Sequence, residues 1–143
     1  MDNNHEHVAL AVQAEHRQLH QRLHDIERLL TSDEIWEESL NRLLGDLRAL
    51  RRQLAEHFER EENGGFLDEA VALAPRFSHD ARRLMRDHSS FLAELDGIIR
   101  FAEKAAASEA TELRERTLDL FHALRLHEAG EERILQQMFP SEV

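Results

Sequence analysis

Two short stretches of the chain carry the same side chains in the same order. "EHFEREE" holds His57, Glu61 and Glu62, and "LHEAGEE" holds His127, Glu131 and Glu132. Glu61 follows His57, and Glu131 follows His127, by four positions, which on a helix places each pair on one face, a turn apart. Two more histidines, His16 and His88, each fill one slot of an otherwise apolar stripe. Ionised carboxylates and several imidazoles facing an apolar core are costly unless they are paired or coordinated. Four imidazoles and two carboxylates form a nitrogen and oxygen ligand set. A single cation rarely needs six side chains from four helices, whereas two cations bridged by two carboxylates use all six. Donors of this kind suit iron, with manganese and zinc as lesser alternatives. The candidate metal ligands are therefore His16, His57, Glu61, His88, His127 and Glu131. A near-constant shift along the chain maps the first, second and third of these set members (His16, His57, Glu61) onto His88, His127 and Glu131. The economical interpretation is a pseudo-twofold dinuclear site.

The elements that must position these residues follow from the apolar period. Val8, Val12, Leu19, Leu23, Ile26 and Leu30 form one stripe, with His16 in its vacant slot. Trp36, Leu40, Leu43, Leu47, Leu50 and Leu54 form a second, continued in register by His57 and Glu61. Ala81, Leu84, His88, Phe91, Leu95, Ile98 and Ala102 form a third. Leu113, Thr117, Leu120, Leu124, His127, Glu131, Ile134 and Met138 form the fourth. Such seams pack helices side by side. The punctuation agrees. "TSDE" at 31–34 resembles a capping box with Thr31 at the cap, and Gly64–Gly65 reads as a stop. Pro75 sits ahead of the third long helix, Ser108 and Glu109 open the fourth, and Pro140 ends it. The expected fold is all-α: an antiparallel up-down-up-down four-helix bundle, with a short extra helix or crossover at 66–74 between helices 2 and 3. One domain is expected over 1–143, its core spanning roughly 8–140.

At 1.5 Å per residue, His16, His88 and His127 each lie about 18 Å from one pole of such a bundle. His57 lies only about half that far from the glycine stop. The second helix is therefore expected to be shorter at that pole, with residues 66–74 filling the gap.

Bulk properties narrow the partners. The formal net charge of −11 repels phosphate backbones and anionic membranes, so neither nucleic acid nor a membrane is an expected partner. The absence of cysteine excludes disulfides, thiolate zinc sites and thiol nucleophiles, and fits a reducing compartment. The polar, acidic start does not suit a secretory signal, and no apolar run reaches the ~18 residues of a membrane span. A cytoplasmic location is the expectation. The sequence leaves the oligomeric state open.

The paired His-x-x-x-Glu motifs, with "EHRQL" at His16 and "DHSSFL" at His88 on the intervening helices, resemble the hemerythrin-like (HHE cation-binding) domain over nearly the whole chain. The resemblance implies a non-haem di-iron centre in a four-helix bundle, with bridging carboxylates and an oxo or hydroxo bridge. Two departures stand out. Oxygen-carrying hemerythrins have a second histidine one turn before the equivalent of His88, where this chain has Leu84. Their last helix also spaces His and Asp by five, where this chain has His127 and Glu131. With four histidines, each iron would keep an open position, which argues against reversible O2 carriage. It favours binding or sensing of O2, NO or peroxide, or iron handling. An oxidase or peroxidase-like enzyme and a metal-stabilised signalling or interaction module are the alternatives.

The remaining polar residues have plainer readings. His20 and His24 fall at the rim, with His20 the reserve ligand, and His79 and His122 read as exposed. Glu62 and Glu132 read either as partners of ligand N–H groups or as solvated carboxylates. Glu128 flanks the seam as a possible extra ligand, and Gly130 either leaves space beside the metals or is neutral. Phe58, Phe91, Met85 and Met138 read as core packing, with the wall of a dry pocket as the alternative.

Overall fold

A computed structural model describes residues 3–31, 36–73 and 75–138. Four long helices dominate: α1 (Asn3–Leu30), α2 (Trp36–Glu62), α4 (Pro75–Lys104) and α5 (Ala110–Met138). An eight-residue helix, α3 (Phe66–Leu73), lies between α2 and α4, and no strand occurs among the described residues. No helix among the described residues is long and apolar enough to cross a membrane.

The apolar stripes face inward. Leu19, Leu23 and Ile26 of α1, Leu43 to Leu54 of α2, Leu95 and Ile98 of α4, and Leu113 to Leu124 of α5 form one buried cluster. A second, smaller cluster gathers Val12, Phe66, Leu67, Ala70, Phe77, Ala81, Leu84, Ile134 and Leu135. On α1, α4 and α5 the two clusters are separated along the helix by the polar slots, and on α2 the core ends at them. A polar layer thus divides the hydrophobic core. The fully buried Phe66, Leu67 and Ala70 of α3 close the small cluster where α2 has already ended. Burying a side chain such as Phe66 is worth about 1.5–3 kcal/mol, which anchors this short helix.

The long helices pack in the ring order α1, α2, α4, α5 and back to α1. Cross-helix pairs trace each seam: Arg22 with Gln53, Arg51 with Asp96, Arg116 with Glu94, and Arg125 with Glu27.

The helix ends differ in part from the punctuation expected. After α2, Asn63 N–H donates to Glu59 O, and Gly64 takes a φ of +78°, a left-handed conformation that favours glycine. Gly65 is required for a different reason: a Cβ there would sit 2.0 Å from Arg60 O. Pro75 does not precede α4 but is its first residue, where its missing N–H costs nothing. The Thr31 hydroxyl donates to Glu27 O and Arg28 O at the end of α1, while residues 32–34 of the expected capping box lie outside the described residues. At the last turn, a 3-10 segment (Ala107–Glu109) precedes α5, and Glu109 accepts the Ala106 N–H at 3.0 Å. Ser108 and Glu109, expected to open the fourth long helix, both lie in this 3-10 segment. Pro140 and the side chain of Val8 lie outside the described residues.

Candidate metal centre

The apolar period continues through the polar slots, so the same inward face that buries leucine above and below delivers imidazole and carboxylate here. All six candidates are buried: His16, His57, Glu61, His88, His127 and Glu131 each expose 5 % of their surface or less. Their donor atoms fall into two overlapping groups, within each of which all lie within 4.8 Å of one another. His16, His57, Glu61 and Glu131 form one, and Glu61, His88, His127 and Glu131 form the other. The two glutamates are common to both. His57, the member that axial counting placed least well, sits with its ring centre 5.2 Å from that of His16.

The atoms that converge are the four Nε2 nitrogens and the carboxylate oxygens. His57 Nε2 lies 3.3 Å and His88 Nε2 3.5 Å from Glu61 Oε1. His127 Nε2 lies 3.2 Å and His16 Nε2 3.6 Å from Glu131 Oε1. Both oxygens of Glu61 and of Glu131, with Nε2 of His16 and of His57, are buried without a hydrogen-bond partner of sound geometry. Buried polar atoms left this way cost about 1–3 kcal/mol each, and a cation at their focus removes that cost.

Charge tells the same story. Burial, together with the neighbouring Glu131, pushes the Glu61 carboxyl well above the usual range. Burial would also raise Glu131, but the neighbouring Glu61, His127 and His16 outweigh it and hold that carboxyl well below the usual range. The two carboxyls therefore titrate as a pair and not as independent groups. Burial lowers the His16 imidazole, yet Glu131, Glu132 and Glu128 overcome it and raise the group to about 9. Burial and the neighbouring His127 push His88 down to about 3, and burial lowers His57. The donor set fits metal ions: two imidazoles and two carboxylates per group, all inward, buried and short of partners.

Aromatic rings wall one side. Phe58 stacks on His88 with ring centres 3.8 Å apart and planes 5° from parallel, and Phe91 meets His127 edge-on at 5.0 Å. Phe58 belongs to the large apolar cluster and Phe91 packs against it, so the core-packing reading holds for both. Met85 and Met138 pack instead against the small apolar cluster.

The residues flanking the set fall as follows. His24, His79 and His122 are exposed. His20 is half-exposed, and its Nε2 lies 2.5 Å from Glu128 Oε2. Glu128 is buried, which raises its carboxyl to about 7, but neither it nor His20 joins the two convergent groups. Both line a groove between α1 and α5 with His16, Arg125 and Glu132. The space beside Gly130 is taken by Leu84: a Cβ at 130 would sit 3.3 Å from Leu84 Cδ2. Glu62 lies 3.3 Å from His88 Nδ1, and Glu132 lies 2.8 Å from His16 Nδ1.

Two contacts went unanticipated. Glu15 Oε2 accepts from His57 Nδ1 at 2.7 Å and also pairs with Arg60, while Asp87 Oδ2 stands 3.9 Å from His127 Nδ1. The signal for both was present in the sequence, since each acid immediately precedes a candidate ligand in "EH" at 15–16 and "DH" at 87–88.

No curated protein and no solved structure matches the chain. The family model described as the hemerythrin HHE cation-binding domain matches residues 7–139. With that match over nearly its whole length and two buried histidine–glutamate groups able to hold a metal, the chain belongs to the hemerythrin HHE cation-binding domain family.

Proposed function

We propose that the protein binds a pair of non-haem iron ions and uses them to bind or sense O2 or a related small molecule such as NO or peroxide, or to handle iron. The single observation that carries this reading is the pair of overlapping donor groups sharing Glu61 and Glu131. His16 and His57 would hold one ion and His88 and His127 the other, with Glu61 and Glu131 available to both. Four protein donors leave positions on each ion for a solvent-derived bridge and an external ligand. Bound iron supplies redox and Lewis-acid chemistry; the protein supplies a rigid, buried ligand frame and the dry aromatic face of Phe58 and Phe91.

The scaffold in this reading is a single antiparallel up-down-up-down bundle with α3 as crossover. It is supported by contacts that climb one helix while descending its neighbour, as in His16 with Glu132 and His20 with Glu128. The test is metal analysis of protein from iron-replete cells, followed by exposure of the reduced protein to NO. About two iron ions per chain, with absorption that shifts on NO addition, are expected. Fewer than one iron per chain, or stoichiometric zinc or manganese instead, overturns the iron assignment.

A further inference from the structure

Each of the four inward histidines turns its other ring nitrogen toward an acid on the neighbouring helix. Glu15 of α1 faces His57 of α2, Glu62 of α2 faces His88 of α4, Asp87 of α4 faces His127 of α5, and Glu132 of α5 faces His16 of α1. The acids thus close a circuit around the bundle. Every one is adjacent in sequence to a member of the inner set. Glu15 and Asp87 each precede a histidine, while Glu62 and Glu132 each follow a glutamate. The shift that relates the two halves of the inner set therefore relates the two halves of the outer one.

We infer that Glu15, Glu62, Asp87 and Glu132 are positioning residues that set the tautomer and orientation of the four histidines, and that their unequal grip makes the two metal positions unequal, with the His16 and His57 position filling first. This rests on the metal-pair reading above. An ionised carboxylate only accepts, so a neutral imidazole paired with one keeps its proton on Nδ1 and presents the Nε2 lone pair inward. The grip is tight in one half and loose in the other. His57 and His16 are held at 2.7 and 2.8 Å, whereas His88 and His127 stand 3.3 and 3.9 Å from their acids. Shielding follows the same order. The side chains of Glu15 and Glu132 are 24 % and 31 % exposed, those of Glu62 and Asp87 41 % and 49 %. Better-shielded charges are less screened and form the stronger charge-assisted bonds. Arg60 braces Glu15 as well. His127 is the least committed: its Nδ1 has no hydrogen-bond partner, and its Nε2 lies 3.2 Å from His88 Nε2. The shorter contacts hold the rings of His57 and His16 aimed, whereas the longer ones leave those of His88 and His127 less fixed.

The test uses the full chain with Co2+ as probe. Stepwise titration of the wild type is expected to show two steps, the first at least about tenfold tighter. Glu15→Gln and Glu132→Gln, which keep an acceptor but remove the charge, should weaken the first step roughly 10–100-fold. Glu62→Gln and Asp87→Asn should leave the first step within about twofold and weaken the second. Long-range proton–nitrogen NMR of the metal-free wild type at neutral pH provides a readout that needs no metal: His57 should carry its proton on Nδ1. A His57 proton on Nε2, two equal binding steps, or equal effects of Glu15→Gln and Glu62→Gln would overturn the inference while leaving the metal pair standing. Failure to bind Co2+ or iron at all would overturn the metal-pair reading, and the His57 tautomer would still decide whether the acid circuit aims the rings.

Discussion

Removing the metal should leave a protein whose stability falls steeply on the alkaline side, with His16 as the main measurable cause. The imidazole is only 3 % exposed and lies among carboxylates, and Glu131, Glu132 and Glu128 raise it from 6.5 to about 9 against the opposing effect of burial. A histidine raised on folding stabilises the native state fully below its unfolded pKa, and that contribution is lost as pH rises through the folded value. The full contribution is about 3 kcal/mol, of which about 2 kcal/mol disappears between pH 7 and pH 9. With a urea m-value of about 2 kcal/mol per molar, the midpoint should drop by about 1 M over that interval. Glu61, also raised, acts in the same direction, because its proton too is lost at high pH. The Glu128 carboxyl at about 7 loses its contribution mostly below the interval and adds little within it.

The assay is urea unfolding of the metal-free protein at pH 7, 8 and 9 and fixed ionic strength, beside a His16→Gln variant. The variant should lose most of the slope, and the metal-loaded wild type should show almost none, because a bound cation holds the imidazole neutral throughout. Binding must then expel the His16 proton at neutral pH, so titration calorimetry in buffers of different ionisation enthalpy should detect proton release. A metal-free midpoint that stays flat or rises from pH 7 to pH 9, or a His16→Gln slope equal to that of the wild type, would refute the reasoning.

Other substitutions separate scaffold from site. Gly45 lies mid-helix in α2, and a methyl group added there would meet nothing within 4 Å, so Gly45→Ala should stabilise the protein by about 1 kcal/mol in urea unfolding without changing metal content. Phe58→Ala should cost about 3–5 kcal/mol in the metal-free protein, and metal should leave faster on addition of a chelator, because the ring stacks on His88 and contacts His57 and His127. Gly64→Ala, at a φ of +78°, should cost about 1–2 kcal/mol. Gly65→Ala should cost more and also lower metal content, since a Cβ would meet Arg60 O at 2.0 Å and Glu61 Cα at 2.7 Å and must displace the turn that carries Glu61.

The inner set was legible because helical period is a property of one helix at a time. His16, His57, His88, His127, Glu61 and Glu131 each occupy a slot that leucine would otherwise fill, so the stripe alone assigns their direction. The level of His57 was harder to read, because it depends on where α2 stops relative to its neighbours. That stop is set by the close approach of Gly65 to Arg60 and by α3, whose buried Phe66 and Leu67 take over the core beyond it. Helix ends were harder still: Thr31 and Glu109 sit where a cap is expected, but which helix a short polar side chain serves depends on the path of the turn.

The outer acids show where a one-helix reading ends. Glu15 and Asp87 stand one position off the inward stripe, about 100° around the helix, where periodicity assigns a residue to the flank. On a flank, an acid is solvated or paired according to what the adjacent helix presents at that height. Here the adjacent helix presents the back of an imidazole whose front is committed to the core. The step from "flanking carboxylate" to "partner of Nδ1" thus needs the relative height of two helices, which the separate stripes leave undetermined. Once the inner six share a level, however, that height is fixed, and the acids beside inner members can be matched to the back of a neighbouring imidazole. The acids at 15, 62, 87 and 132 are legible as a set only after the inner six have been placed.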